Sequence, residues 1–457
     1  MKIKNIINLI EGELLSGNYE DEISYVEQDS RKIKRGDTFI AFKGDDFDGN
    51  NFFYNAIENG AKTCIVTRKD LKPVKANVIY VEDAQLALDR LVQYKFDLIK
   101  PLIIGITGSV GKTSTRDIMH KILSEKFKVF KSEKNFNERR GLPLNAINIP
   151  MDTEIAVLEM GMDKLGEISE LSQLFNPDYA VITNIGMSHI EKLGKKENIL
   201  KAKLEITDGI KAKGFLILNS DDELLSEYLE YQKDNMFRTF KLLSFGIQDD
   251  EADLIGKLIQ MEENEMSVTI KYGEKIFKID TNLRGRHNIY NMLPGILIGL
   301  KLEMSEYEIQ MALERVYLTE RRMDKFTTTS GFTVYDDTYN ASLESVKAAV
   351  EILRREEGRR VAILGDILEL GDFSEEIHRK IGKYLNETNI DFVITAGKDA
   401  KYINEELESI KNVHFNNLEE VLENLNELLK DDDVILIKSS NGMRFNLISN
   451  KLREDME

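Results

Sequence analysis

The chain has 457 residues, a length typical of about three domains, and 42% of them are hydrophobic, enough for packed cores. Its 80 acidic residues outnumber the 62 basic ones and give a net charge of −18, which argues against a surface for nucleic acid or anionic membranes. The single cysteine, Cys64, excludes an internal disulfide. The first residues lack the apolar core of a signal peptide, and no apolar run approaches the about 20 residues of a membrane span. We therefore expect a cytoplasmic protein with no membrane insertion.

Residues 1–98 are predicted to form a small α/β domain. The pattern indicates two strands with a short helix between them, at 38–42, 52–57 and 63–67. Ser30 and Arg31 lie near the loops of this region, where they could hold an anionic ligand. On this pattern alone they are more often ordinary surface residues.

The strongest local signal is a glycine-rich loop between a strand and a helix. Residues 102–106 are apolar and β-branched, as is typical of a buried strand, and Ser114 and Thr115 open a helix. Gly108 and Gly111 allow backbone angles with which successive N–H groups can surround one anion. The start of the helix favours the same anion, so this stretch predicts a phosphate site.

The loop also carries the side chains that a nucleotide site needs. Lys112 offers a positive charge to the β- and γ-phosphates, and Thr113 offers a hydroxyl to Mg²⁺. Five residues separate Gly105 from Gly111 where the strict Walker pattern has four, so the match is to the shorter form Thr-Gly-x-x-Gly-Lys-Thr. The alternative is a glycine turn with an exposed lysine. Because strand, turn, Lys-Thr and helix occur in register, we favour nucleotide binding.

Residues 99–315 continue as alternating strands and helices, which predicts a mostly parallel sheet with ligands at the carboxyl ends of its strands. Further strands are expected at 129–130, 155–160, 179–183 and 215–218. Glu159, Asn184 and His189 would then lie near the phosphate loop. Residues 241–280, with a Tyr272-Gly273 turn, predict an antiparallel insertion.

The alternation restarts in residues 316–457 and predicts a second doubly wound, Rossmann-like domain. Its expected strands are 332–335, 361–364, 392–395 and 434–437, with helices at 344–353 and 418–429. Asp337 and Lys438 stand at strand ends, where a carboxylate can accept from ribose hydroxyls and an ammonium can meet a phosphate or carboxylate.

Several of these residues also have an ordinary structural interpretation. Glu159 beside Thr113 suits Mg²⁺, which prefers oxygen ligands, but it could be a surface carboxylate. A lone histidine such as His189 is usually structural, and Lys203 resembles a solvated helical lysine. Asn288 and Asn291 share a helix face and could pair with a purine edge, although Asn288 could equally cap the helix.

Eight ordered stretches together resemble the Mur ligase family across essentially the whole chain. They are residues 107–113; 135–137 with 141–143; 159–161; 183–185 with His189; 202–206; 287–288 with Asn291; 335–341; and 364–371. The Asp-Asp-Thr-Tyr-Asn-Ala and Leu-Gly-Asp-x-x-Glu-Leu-Gly patterns in the last two stretches resemble the members that add D-alanyl-D-alanine.

The resemblance implies three domains: a UDP-sugar-binding domain, a central ATPase, and a C-terminal domain that closes over the site. It implies ATP-dependent amide ligation in peptidoglycan precursor synthesis, with D-alanyl-D-alanine and UDP-N-acetylmuramoyl-tripeptide as substrates. An acyl phosphate forms first, and the dipeptide amine then displaces phosphate. A monomer that uses ATP and two Mg²⁺ ions is expected.

The resemblance also implies roles for single residues. Thr113 and Glu159 match ligands of the first Mg²⁺, and His189 matches a residue at the second. Lys203 matches a lysine that is commonly carbamylated, which would turn an ammonium into an anion that supports the second Mg²⁺. The implied catalytic set is Lys112, Glu159, His189 and Lys203. The implied ATP contacts are Gly108, Ser109, Gly111, Lys112, Thr113, Ser114, Asn288, Asn291, Arg322 and Asp337, and the implied substrate contacts are Ser30, Arg31, Asn137, Tyr339 and Asn340.

Four places depart from the usual family pattern. Val110 replaces a common Asn in the phosphate loop, and Asn50 replaces a frequent His. Glu138-Arg139-Arg140 stands where an Asn and an apolar residue are common. Residues 438–441, Lys-Ser-Ser-Asn, stand for the usual Lys-Gly-Ser-Arg.

Two other functions compete with this ligase. A related ligase with another acceptor, such as a folate polyglutamylating enzyme, would share the ATP machinery but lack a comparable UDP-sugar domain. A nucleotide-binding regulator that has lost catalysis would fit the changed residues 438–441, although Lys112, Glu159 and Lys203 are all present.

Overall fold

The protein folds into three α/β units, each built on its own sheet. The structure, a computed structural model, describes residues 1–44, 47–72, 74–133, 136–235, 238–261, 265–316 and 321–454. Asn135, part of one family-like stretch, lies outside these residues. The three sheets occupy successive parts of the chain. The three-domain α/β class expected from the sequence is therefore confirmed, while the boundaries at 98 and 315 stay predictions.

The first unit has a small, mostly parallel sheet with the strand order β1-β5-β4-β3-β2. Only β1 runs antiparallel, against β5, in the described part of this sheet. The strands are β1 (Glu13–Ser16), β2 (Val26–Glu27), β3 (Thr38–Ile40), β4 (Thr63–Val66) and β5 (Asn77–Tyr80); the helices are α1 (Ile3–Ile6), α2 (Phe53–Glu58) and α3 (Ala84–Ile99).

The central sheet has the order β14-β13-β12-β11-β10-β9-β6-β8-β7. Its strands are β6 (Leu102–Thr107), β7 (Val129–Lys131), β8 (Ile155–Glu159), β9 (Tyr179–Ile182), β10 (Phe215–Asn219), β11 (Lys241–Gly246), β12 (Leu254–Met261), β13 (Met266–Tyr272) and β14 (Lys275–Thr281). Its helices are α4 (Lys112–Leu123), α5 (Gly141–Ala146), α6 (Glu167–Phe175), α7 (Ile190–Leu193), α8 (Lys196–Leu204), α9 (Glu223–Lys233), α10 (His287–Lys301) and α11 (Glu306–Glu314).

The prediction for residues 241–280 is partly wrong. β11 pairs in parallel with β10 over five residue pairs, and β12 begins parallel to β11, so this region extends the main sheet. Only β12, β13 and β14 pair antiparallel, and the turn between β13 and β14 lies at Gly273 and Glu274, one residue later than predicted. A short strand pattern carries no information on the direction of its partner, which explains the error.

The third sheet has the order β15-β16-β20-β17-β18-β19 and is parallel except for the edge strand β15. Its strands are β15 (Asp324–Thr327), β16 (Thr333–Asp337), β17 (Arg360–Gly365), β18 (Phe392–Ala396), β19 (Lys411–Phe415) and β20 (Val434–Lys438); the helices are α12 (Leu343–Leu353), α13 (Ser374–Asn386), α14 (Lys401–Glu405), α15 (Leu418–Leu428) and α16 (Asn446–Glu454). In the described part of the chain no helix is long and apolar enough to cross a membrane.

The first unit is fastened to the central unit by polar contacts. The side chain of Asn148 bonds both ways to the backbone of Val26, accepting its N–H at 2.8 Å and donating to its carbonyl at 2.9 Å. The Arg139 guanidinium forms two hydrogen bonds with the Asp89 carboxylate on α3, and its Nε lies 2.5 Å from Glu170 on α6. The Asn148 bonds attach the edge strand β2 to the central unit, and the Arg139 bonds attach α3 to it.

Asp366, in the Leu-Gly-Asp stretch, has a structural role. Its buried carboxylate accepts the backbone N–H groups of Lys398, Asp399 and Ala400, at 2.9, 3.0 and 2.6 Å. These bonds join the ends of β17 and β18.

We expect Asp366→Asn to lower the free energy of unfolding by about 1–3 kcal/mol, because an amide nitrogen cannot accept and leaves a buried N–H unpaired. Urea unfolding followed by circular dichroism would measure the change. The exposed Asp372→Asn is the control. Equal stability of the two variants would contradict this role.

Candidate active site

A cavity of about 750 Å³ lies between the central and third units. The central unit lines it with the phosphate loop and with residues that follow β8 and β9. The third unit lines it with residues that follow β16, β17 and β20. The carboxyl ends of parallel strands from two sheets therefore face one space, the usual place for a ligand in α/β folds.

The phosphate loop requires glycine at two positions. Gly108 has φ +145°, and a Cβ there would lie 2.0 Å from the hydroxyl of Thr183. Gly111 has φ +84°, and a Cβ there would lie 2.5 Å from Oδ1 of Asn291. Any side chain at either position would be strained and would collide, so the loop depends on both glycines.

The residues after β9 hold this loop in shape. Asn184 accepts the Val110 N–H at 3.0 Å through its side chain and donates to the Val110 carbonyl at 2.9 Å. Its own carbonyl accepts the Ser109 N–H, and the Thr183 hydroxyl donates to the Val110 carbonyl at 2.6 Å. All the bonds to Val110 engage its backbone N–H or carbonyl, so its side chain is not needed to hold the loop.

Two cationic side chains approach the loop from opposite units. Lys112 Nζ donates to the carbonyls of Gly108 and Ser109, at 2.8 and 3.3 Å. Burial lowers the pKa of Lys112, and the Arg322 guanidinium adds to this while Glu159 opposes it. Arg322 stacks on the ring of Tyr339, 3.9 Å from its centroid, and its buried Nε has no partner among the described residues.

The loop and its surroundings fit a polyanion. The hydroxyl of Ser109 is buried, lines the cavity and has no hydrogen-bond partner within the described part of the chain. Thr113 and Ser114 follow at the start of α4 and also line the cavity. Unpaired donors beside two cations are what a phosphate chain requires.

Glu159 is placed as expected at the end of β8, with a side chain that is 2% exposed. Its Oε1 accepts from Asn137 Nδ2 at 2.8 Å, and its Oε2 lies 3.3 Å from Nη1 of Arg116. No group of three or more His, Cys, Asp or Glu side chains in the described ranges could hold a metal. A cation here would therefore take the Thr113 hydroxyl, the Glu159 carboxylate, ligand phosphates and water, a set that suits Mg²⁺.

Lys203 is not a solvated helical lysine. It is fully buried on α8, and its Nζ has no hydrogen-bond partner among the residues described. Burial lowers the pKa of Lys203 well below its usual value, and the nearby Lys112 ammonium lowers it further. The helical pattern of the sequence could not indicate this burial.

His189 joins the central unit to the third. It directly precedes α7 with left-handed backbone angles, φ 64°, and its Nδ1 lies 2.9 Å from Oε2 of Glu369 in the Glu-Leu-Gly stretch. The contact lowers the pKa of Glu369. Next to it, the Glu191 N–H donates to the Glu369 carbonyl at 3.3 Å. This stretch therefore docks onto α7, which the sequence alone did not predict.

Asn288 and Asn291 lie in the first turns of α10 and line the cavity. Asn288 donates to the Arg284 carbonyl at 2.6 Å and accepts from Asn291 at 2.8 Å. The two amides thus orient each other. Asn288 does not cap the helix, because a cap accepts a backbone N–H and the Asn288 side chain donates to a backbone carbonyl.

Asp337 and Lys438 pair with each other across neighbouring strands. Lys438 Nζ lies 2.5 Å from Oδ2 of Asp337 and donates to the Asn340 carbonyl at 2.9 Å. Asn340 and Tyr339 line the cavity beside them. Both strand ends were predicted, but their pairing depends on β16 and β20 being neighbours.

Ser30 and Arg31 lie apart from this group. Among the described residues, those that line the cavity do not include them. Arg31 is exposed in the first unit and pairs with Asp29 at 2.9 Å, while the buried Ser30 accepts from Asn59 through its carbonyl. Gly108 and Lys203 are likewise not among the described residues that line the cavity.

Three family descriptions match successive parts of the chain. "Mur ligase family, catalytic domain" matches residues 22–96, "Mur ligase middle domain" matches 106–299, and "Mur ligase, glutamate ligase domain" matches 321–441. A UDP-N-acetylmuramoyl-tripeptide–D-alanyl-D-alanine ligase from Bacillus subtilis is 36% identical over 99% of this chain and 98% of its own length. The chain belongs to the Mur ligase family.

Other relatives and solved structures agree with this Mur ligase assignment. The ligase of the same name from Escherichia coli is 27% identical over 99% of this chain and 98% of its own. MurF from Acinetobacter baumannii has a TM-score of 0.89 at 27% identity, with 99% and 98% of the two chains covered. MurF ligase from Thermotoga maritima, solved in complex with ADP, has a TM-score of 0.82 at 28% identity over 95% and 98%.

We expect Lys112→Met in this Mur ligase to weaken binding of a non-hydrolysable ATP analogue roughly 10- to 100-fold, because an ion-assisted hydrogen bond contributes about 1.5–3 kcal/mol. Binding of AMP should change little. Isothermal titration calorimetry would measure both. Lys121→Met, on the same helix but paired with Glu125 at the surface, is the control. An equal loss for AMP would contradict a role on the β- and γ-phosphates.

Proposed function

We propose that this protein is an ATP-dependent ligase that joins D-alanyl-D-alanine to UDP-N-acetylmuramoyl-tripeptide. The proposal rests on the relatives of that printed name, which match almost the full length of the chain. One observation carries the chemistry: a phosphate loop with Lys112, Thr113 and Glu159 faces Arg322 of the third unit across one cavity.

A carboxylate is a poor electrophile, so it must be activated before it can form an amide. In the proposed reaction the tripeptide carboxylate attacks the γ-phosphorus of ATP, and ADP leaves. The amine of D-alanyl-D-alanine then attacks the acyl carbon, loses a proton, and inorganic phosphate leaves. The enzyme acts mainly by positioning the reactants and by balancing charge.

The residues of the cavity divide this work. Lys112 and the backbone of the phosphate loop hold the phosphate chain from the central unit. Arg322, fixed by its stacking on Tyr339, reaches it from the third unit. Thr113 and Glu159 would hold Mg²⁺, which neutralises phosphate charge when bound. Closure of the third unit would complete the site.

The nucleoside would lie along the remaining wall. We propose that Asn288 and Asn291, whose amides bond to each other, meet the adenine edge. Asp337, held by Lys438, offers its carboxylate to the ribose. Asn137 and Asn340 are proposed as substrate contacts, whereas Ser30 and Arg31 would belong to a separate UDP-sugar site on the first unit. We also propose a monomer that acts in the cytoplasm.

Lys203 is proposed to react with carbon dioxide. Its neutral Nζ lone pair attacks the carbon, the amine releases one proton, and a carbamate anion forms. The depressed pKa favours this step, since an ammonium has no lone pair to donate. The carbamate would support a second Mg²⁺ together with His189.

We expect phosphate release from ATP and Mg²⁺ only when UDP-N-acetylmuramoyl-tripeptide and D-alanyl-D-alanine are both present, with bicarbonate added. Mass spectrometry should show one new UDP-linked pentapeptide. Phosphate release that depends on glutamate and a folate would favour the folate ligase. Binding of ATP without release under any combination would favour the regulator.

We expect ¹³C-bicarbonate to give a carbamate signal in the NMR spectrum of the wild-type protein and none in Lys203→Arg. The arginine keeps the positive charge but offers no neutral amine. The surface variant Lys201→Arg should keep the signal. An unchanged signal in Lys203→Arg would exclude this residue as the site of the adduct.

A further inference from the structure

Arg116 is a buried arginine behind the phosphate loop that the proposed reaction does not use. It lies on α4 one turn after Lys112, and its side chain is 2% exposed. A buried guanidinium is costly unless anions surround it. Among the described residues, the carboxylates of Asp117 and Glu159 contact it.

Arg116 is held more closely by Asp117 than by Glu159. Its Nε and Nη2 lie 3.0 and 2.8 Å from Oδ1 of Asp117, while its Nη1 lies 3.3 Å from Oε2 of Glu159. Lys131 at the end of β7 also bonds to Oδ1 of Asp117, at 2.9 Å. Within the described part of the chain, Asp117 therefore accepts from both Arg116 and Lys131, in a network that also includes Glu159.

Glu159 keeps acceptor capacity in this network. Asn137 donates to Oε1, and Arg116 makes the long contact with Oε2. Because each carboxylate oxygen has two lone pairs, both oxygens can still accept a further ligand. The Ser132 hydroxyl, 3.0 Å from the Glu159 N–H, fixes the backbone of the same residue.

We propose that Arg116 is a positioning residue that orients Glu159 as a metal ligand, and that Asp117 holds the guanidinium back so that the carboxylate stays available to the cation. This inference rests on the proposed Mg²⁺–nucleotide site. The inference predicts opposite effects for two changes. Loss of the Arg116–Asp117 contact lets Arg116 pair more closely with Glu159, which lowers the affinity for the cation. Removal of Lys131 strengthens the Arg116–Asp117 contact and therefore preserves that affinity.

The test is a titration of the protein with Mn²⁺, in the presence of a non-hydrolysable ATP analogue, followed by electron paramagnetic resonance. We expect Asp117→Asn and Arg116→Lys each to weaken Mn²⁺ binding by about tenfold or more, the range found for partners of metal ligands. Arg116→Lys keeps the charge but lacks the fork that reaches both carboxylates. Lys131→Met should bind Mn²⁺ at least as tightly as the wild type.

Matched measurements separate positioning from folding. Asp433→Asn breaks the ion pair of the buried Asp433 with Arg359, at 2.9 Å, and should leave Mn²⁺ binding unchanged. This pair lies at the amino ends of β20 and β17, whereas the cavity lies at the carboxyl ends. Binding of the analogue without metal should also stay within about twofold in all folded variants. If Asp117→Asn does not fold, the test is the comparison of Mn²⁺ affinity in Arg116→Lys, where we expect a loss, with that in Lys131→Met, where we expect none.

Wild-type affinity in Arg116→Lys, or a loss in Lys131→Met equal to that in Arg116→Lys, would overturn the inference. Those outcomes would leave the ligase assignment intact, because the wild type would still bind Mn²⁺ with the nucleotide. Failure of the wild type to bind them together would instead overturn the proposed metal site itself, and this inference with it.

Discussion

The order of three parallel strands decides where the chemistry of this protein can occur. β6 lies between β8 and β9, with Ile106 opposite Glu159 and Thr107 opposite Ile182. The loop that follows β6 is therefore flanked on one side by Glu159 and on the other by the Thr183–Asn184 pair. One side supplies a carboxylate, and the other supplies the hydrogen bonds that keep the glycine loop open to an anion.

The third unit supplies what the central unit lacks. Arg322 adds a cation beside Lys112, and Asp337 with Lys438 adds a polar wall at adjacent strand ends. The contact between His189 and Glu369 ties the two units at the rim of the cavity. Residues of both units therefore line the one cavity, and the described residues of the central unit supply only part of its wall.

Much of this could be predicted from the sequence because strand ends in a parallel sheet converge. That rule correctly grouped Glu159, Asn184 and the phosphate loop before any pairing was known. It could not give the direction of β11, since alternation does not identify a partner. It also could not show the burial of Lys203 or Arg116, because a charged residue on a helix has the same pattern whether it faces solvent or the protein interior.

The bonds that fasten the first unit have a consequence for peptide length. Arg139 and Asn148 clamp that unit to the central one at two separate points. If the sugar nucleotide is held on the first unit, the span from there to the phosphate loop is fixed. The enzyme would then select substrates by peptide length. A peptide one residue too short could not bring its carboxylate to the γ-phosphate, however well its sugar was bound.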